Sequence, residues 1–341
     1  MSRFKHIRSS NIGQLVIELV AIVIPLLLLT TLLNLLPASF QQSLAGDLLL
    51  NIAAAAIIIA VFRLTLRRAE HTSLAAVGLA RQQWLRQILL GFFCGGVLMS
   101  LVTLVLALTG SYHITGIQPF SIVELVFLLI SLCLLALLFA RNAKIGFWHY
   151  ALFACLIFGF LTTTVSLLIL IGGAIQEELI FRGVIFRKLE ASFGSWIALG
   201  ISAILFGFIH LLNPAKSLVG ALAIIVTAGV LIAIVYILTR SLWWTIGIHL
   251  GWNYFEGSVF GSQISGHTLP GYFSSVLTGP AAWSGSGFGP EAGLACILIV
   301  GSVSFFLCSR AARQHLMLPR SQPHTASQDT PSERTDISVN P

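Results

Sequence analysis

Gln176-Glu177-Glu178-Leu179-Ile180-Phe181-Arg182-Gly183 closes a long, almost uncharged apolar run that begins near residue 145. Two adjacent carboxylates and an arginine therefore stand at the end of a stretch long enough to cross a bilayer. Only 9% of the 341 residues are charged. Ionisable groups at membrane depth are costly to bury, so a cluster of them marks a functional site by default. Working outward means asking which other residues could converge on this stretch.

The chain is 57% hydrophobic, with a mean hydropathy of +0.93. A soluble domain keeps roughly a quarter of its residues charged, so this composition cannot cover a water-facing surface of this size. Several apolar stretches reach the length of about 18 residues or more needed for a spanning helix. They are continuously apolar, whereas a membrane barrel would alternate. The expected fold is all-α: a polytopic transmembrane helical bundle of about eight or nine spans, with the active site between helices.

The formal net charge of +7 does not indicate nucleic-acid binding. Lys and Arg fall mostly in short segments between apolar runs, where they orient helices. Cys94, Cys133, Cys155, Cys296 and Cys308 lie in or at the ends of apolar runs without C-x-x-C spacing, and read as small apolar packing residues. The basic N-terminus (Arg3, Lys5, Arg8) precedes an apolar run too long for a signal peptide, so a retained first helix is expected.

In chain order, spans are expected at about 13–36, 48–62, 87–109 and 122–140, then a run from 145 to 175. Further spans follow at 196–212, 218–238, 242 to at least 253, and 292–308. Glu18 is placed near the headgroups. The segment from Arg63 to Arg86 reads as a cytoplasmic loop, and residues 261–290, rich in Gly, Ser and Pro, as a long loop. Ser284–Gly287 reads as flexible connection, and the polar tail 309–341 as disordered. The resulting divisions are 1–144 (N-terminal spans), 145–308 (catalytic core) and 309–341 (tail). Nine crossing spans cannot put the N-terminus, the Arg63–Arg86 segment and Arg310/Arg313 all on the cytoplasmic side, as the positive-inside rule asks. A cytoplasmic N-terminus is favoured, and the membrane side of the site stays open.

On a helix, Glu178 and Arg182 are i and i+4 and share a face in the orientation that pairs well. Glu177 points elsewhere and has no local counter-ion, which suits an acid/base group. Phe206 and His210 are i and i+4 on one later span, and His249 and Asn253 on another. In lipid such groups must face the bundle interior and find partners. A free carboxylate and neutral imidazoles can activate water with or without a metal, two His plus a carboxylate being a common catalytic zinc set. Asn253 could orient an imidazole or donate to an oxyanion. Neither H-E-x-x-H nor G-x-S-x-G occurs.

Together these residues resemble a known family. Glu177-Glu178-x-x-x-Arg182, Phe206-x-x-x-His210 and His249-x-x-x-Asn253, in this order with one span between the last two, resemble the three motifs of the CAAX protease and bacteriocin-processing (CPBP) family of intramembrane proteases. The resemblance covers about 170–295, including a loop from Gly279 to Glu291 of a kind that often follows the third motif. It implies a helical-bundle endopeptidase cutting a peptide bond of a membrane-associated or lipid-modified polypeptide, in a multi-pass bacterial inner-membrane protein. By the resemblance, Glu177 activates water, Glu178 and Arg182 brace the site, His210 and His249 hold the water or a metal, and Asn253 stabilises the oxyanion. It also leaves two chemistries open: one divalent metal, zinc, on His210 and His249, or a glutamate-dependent mechanism without metal. Two other classes compete, a catalytically inert scaffold or self-immunity protein of the same fold and a proton-coupled transporter. The intact polar positions favour the protease. No paired broken helices or internal repeat support the transporter.

Overall fold

A computed structural model describes residues 10–41, 43–118 and 164–319. The expected span at 122–140, the first part of the run from 145 and most of the polar tail lie outside the described residues. Among the described residues, six helices are long and apolar enough to cross a membrane: Asn11–Leu33, Ala45–Arg68, Trp84–Leu108, Ser195–Leu212, Leu218–Thr239 and Leu294–Arg313. The protein is a polytopic helical bundle, as its composition requires.

The elements are α1 (Asn11–Leu33), α2 (Leu44–Arg68), α3 (Trp84–Leu108), β1 (Tyr112–Ile117), α4 (Thr164–Glu178), α5 (Arg187–Phe193), α6 (Ser195–Ile209), α7 (Leu218–Ile224), α8 (Val230–Thr239), α9 (Leu242–Asn253), β2 (Phe273–Leu277) and α10 (Leu294–Arg313). Three starts are capped by serine. Ser10, Ser43 and Ser217 each accept from the backbone N–H three residues on, at 3.0, 3.1 and 3.0 Å, satisfying donors that lipid could not. Three helices widen into π-helical segments: Leu179–Phe186 joins α4 to α5, Ile225–Gly229 joins α7 to α8, and Tyr254–Val259 extends α9.

Helices α3 and α9 pack through reciprocal glycines. A Cβ on Gly95 would lie 2.1 Å from the Ile248 carbonyl oxygen, and one on Gly251 would lie 2.0 Å from that of Phe92. Gly91-x-x-x-Gly95 thus faces Gly247-x-x-x-Gly251, the small-residue packing that lets backbones meet when lipid supplies no hydrophobic drive. The core joins Phe62 of α2, Phe186, Phe206 of α6 and Tyr254, all buried. Leu27, Leu28 and Leu32 of α1, Leu108 of α3 and Phe305 of α10 are exposed, an apolar outer face suited to acyl chains.

Several expectations are corrected. Arg63, Arg67 and Arg68 are not in a loop, because α2 continues to Arg68. Their long stems let the charges reach water from a helical backbone, and Arg67 and Arg68 complement the helix C-terminus. Glu18 does not reach for headgroups. It is buried, with Lys188 Nζ at 3.6 Å, and a buried cation removes the need to reach water. Lys188 also approaches Glu70 at 3.1 Å, and Arg187 binds Glu70 through two nitrogens at 2.5 and 2.7 Å. Burial pushes the Glu70 carboxyl up, but these hydrogen bonds and charges outweigh it and hold the group at about 2.

The segment at 261–290 is more ordered than the long loop expected there. β1 and β2 pair antiparallel, Tyr112 opposite Leu277, with an irregularity between Ile114 and Gly116. Such short strands lack a long alternating pattern and are defined only by their pairing. Ser284–Gly287 is no flexible connection. Ser284 is buried at the end of a short helix (Ala281–Ser284), a 3-10 turn (Ser286–Phe288) follows, and a Cβ on Gly220 would meet the Phe288 ring. Cys94, Cys296 and Cys308 are free thiols. Cys133 and Cys155 lie outside the described residues.

Candidate active site

The glutamate pair sits where α4 turns into its π-helical extension. Single π turns are frequent at functional sites because they re-aim side chains and free carbonyls. Glu178 and Arg182 are both fully buried, and Arg182 Nη1 donates to Glu178 Oε1 at 2.9 Å. Arg182 Nη2 donates to the carbonyls of Ala228 and Gly229, each at 3.2 Å, at the end of the π segment before α8. Its guanidinium lies 4.4 Å from the centre of the Phe206 ring, a cation–π contact that is worth more when desolvated.

Glu178 Oε1 has a second partner, the Nδ1 of His249 at 2.9 Å. With Nδ1–H donating to the carboxylate, Nε2 keeps the lone pair. That Nε2 lies 3.8 Å from Glu177 Oε2. Glu178 therefore joins the first motif to the third, a link that one-helix spacing could not reveal. Glu177 is 36% exposed whereas Glu178 is fully buried, so the two carboxylates face unlike surroundings.

His210 ends α6. Pro214 restricts Asn213 to extended backbone, and the helix finishes in a 3-10 turn at His210–Leu212. The His210 Nδ1 lies 2.7 Å from the Phe206 carbonyl oxygen, so this imidazole also donates through Nδ1 and keeps its Nε2 lone pair. Phe206 has a role that the sequence left unstated. Its ring packs edge-on to Phe181 with centroids 5.0 Å apart, and also meets His210 at 5.1 Å and His249 at 6.0 Å.

A cavity of about 330 Å³ collects Glu177, His210, His249 and Asn253, with Phe206 in its wall. Glu178 and Arg182 stand behind it. The six residues singled out in the sequence thus form one constellation. The cavity also takes in residues to which the sequence reading gave no role: Asp47 and Asn51 of α2, Ser265 and His267 of the segment after α9, and Glu291 at the end of the loop that follows the third motif. Gln176 Nε2 ties α4 to Asn51 at 3.1 and 3.2 Å. Burial holds the His267 imidazole below its ordinary value, against a smaller upward pull from Asp47. The available signal was polarity beside the motifs, but loop residues carry no helical spacing to connect them.

A catalytic zinc takes three protein ligands. Among the described residues, no group of three or more His, Cys, Asp or Glu side chains could hold a metal ion. The donor set as folded does not fit such a centre, and the chemistry available is that of a carboxylate, two imidazoles and an amide around a small cavity. Neither a curated protein nor a solved structure matches the chain. Residues 159–255 match the family described as type II CAAX prenyl endopeptidase Rce1-like; the matched segment encloses all six residues of the constellation and is similar to the CAAX protease family to which the motifs pointed.

Proposed function

We propose that the protein is an intramembrane endopeptidase of a bacterial inner membrane. It hydrolyses a peptide bond of a membrane-associated or lipid-modified polypeptide with a water activated by Glu177. One observation carries this reading: Glu178 is engaged by both Arg182 and His249, which leaves Glu177 and the His249 Nε2 beside each other on a cavity. A water held between these two atoms gives its proton to Glu177 and attacks the scissile carbonyl. His210 presents a second lone pair to the same space. The Asn253 amide, from the wall of the same cavity, donates to the oxyanion in this reading, a contribution that typically reaches about 10²–10³-fold in rate. Glu178 and Arg182 position the imidazole without touching substrate. No step is routed through a metal.

The test compares membrane proteomes of cells carrying the wild-type and the Glu177→Gln protein. Gln has the shape of Glu and cannot accept the proton, so at least one membrane polypeptide is expected to persist uncleaved in the variant while the variant inserts and extracts normally. Cleavage at the wild-type level in Glu177→Gln cells refutes the assignment.

A further inference from the structure

Peptide hydrolysis needs a proton for the departing amine as well as a base for the water. Besides Glu177, two carboxylates line the cavity outside the family match at residues 159–255, the exposed Asp47 and the buried Glu291. Glu291 lies in the turn Pro290–Ala292 that leads into α10, and is 4% exposed. It accepts a hydrogen bond from the Ser265 hydroxyl. Ser265 in turn is fixed to the end of α6, its carbonyl accepting from Asn213 Nδ2 at 3.0 Å. The segment after α9 thereby holds Glu291 against the same space as Glu177 and His210.

Behind Glu291 stands Glu256, on the π-helical extension of α9 and fully buried. Its Oε2 accepts from Trp252 Nε1 at 3.1 Å, and its Oε1 has no hydrogen-bond partner. Glu291 is its acidic neighbour, and the two carboxyls interact electrostatically. The other titratable groups near this pair are His210 at the end of α6 and Cys296 from α10, and Glu177, His249, Asp47 and His267 line the same cavity as Glu291. Helix α7, packed on the same turn, has none. Among the described residues, neither carboxyl forms an ion pair with Lys or Arg. Two adjoining buried carboxyls without a Lys or Arg partner disfavour the doubly ionised form. Glu177, half open and beside His249, has the opposite surroundings. Burial also pushes Glu291 above its ordinary value, partly offset by Ser265.

We propose that Glu291, backed by Glu256, is the general acid that protonates the leaving amine across the cavity from Glu177. Two carboxyls in one cavity with unlike environments divide acid from base in this way. Glu177 takes a proton from water as the oxygen bonds to the carbonyl carbon. When the C–N bond breaks, its electron pair stays on nitrogen, which takes the Glu291 proton. Transfer of the proton from Glu177 to Glu291 restores both groups, with one water consumed.

This assignment rests on the hydrolase reading above, and the experiment separates the two. The full chain is purified as wild type, Glu177→Gln, Glu291→Gln and Glu291→Asp. The probe is the polypeptide whose cleavage is lost in Glu177→Gln cells, made with its scissile amide and with an ester in its place. Glu291→Gln is expected to lower kcat on the amide by about 10²-fold or more, with KM near wild type and the ester within about tenfold, because alkoxide departure needs less proton assistance. The high-pH limb of the kcat profile, where the acid loses its proton, disappears in Glu291→Gln and persists in Glu291→Asp. Equal losses on amide and ester, or an unchanged high-pH limb, overturn the assignment. If Glu291→Gln does not accumulate, the amide-to-ester ratio of Glu291→Asp decides: a fall supports it and an unchanged ratio overturns it. Wild-type cleavage by Glu177→Gln overturns the hydrolase reading and this role with it. Loss in Glu177→Gln with full turnover in Glu291→Gln overturns the acid alone.

Discussion

Arg182 is fully enclosed, and its two terminal nitrogens meet a carboxylate and two carbonyls while an aromatic face lies against the guanidinium, although its Nε has no hydrogen-bond partner. Breaking such a buried pair by removing one partner costs about 3–5 kcal/mol, so Glu178 stays committed to its brace while Glu177 has no such partner on its own helix. The imidazoles follow the same logic. Each uses Nδ1 on an oxygen, of Phe206 or of Glu178, and the His249 Nε2 lies 3.8 Å from Glu177 Oε2. Because these atoms do not converge with a third ligand, purified active protein is expected to carry no stoichiometric zinc and to keep its turnover after chelation. Zinc at one equivalent, lost in both His210→Ala and His249→Ala, would reverse this expectation. The division between Glu177 and Glu178 was legible from helical spacing. The link from Glu178 to His249 was not, because it joins residues 71 positions apart.

At the scale of elements, α9 delivers His249 and Asn253, and its position is set by glycine contacts with α3. A side chain at Gly251 would collide with the Phe92 backbone, which cannot swing aside as a side-chain end can. Overpacking of a tight contact costs about 1–3 kcal/mol and moves backbone. Gly251→Leu is therefore expected to lower thermal stability in detergent and to abolish cleavage by displacing His249. Gly200→Ala on α6, where a Cβ meets nothing within 4 Å, should keep both at the wild-type level. Helix positions were readable from apolar run length. The π-helical extensions and the β1–β2 pairing were not, since one depends on local packing and the other on strand partners far apart in sequence.

Among the described residues, charged groups gather in the cavity lined by Glu177, His210 and His249, in the Arg240–Glu190 ion pair, and in the Glu18, Glu70, Arg187 and Lys188 cluster, which ties α1 and the end of α2 to the start of α5. Glu70 is held at about 2 against an ordinary 4.5. A carboxyl depressed on folding contributes stability above its unfolded value and loses that contribution as pH falls through the folded value. Thermal stability attributable to Glu70 is thus expected to be complete above pH 4.5, to decline toward pH 2, and to be missing from Glu70→Gln at neutral pH. Thermal unfolding of the two proteins across this range checks the sign.

By itself, the sequence determined the helical membrane class, the course of most described spans and the six residues of the constellation. Hydropathy run length and i,i+4 spacing are local properties, and lipid leaves the backbone few alternatives to helix. Only the tertiary structure decided that Glu178 braces His249 as well as Arg182, that Glu18 is buried against Lys188, and that Glu291 shares the cavity with Glu177. Each of these depends on elements that meet across long separations, where the position of a charge is set by its partner rather than by its neighbours in the chain.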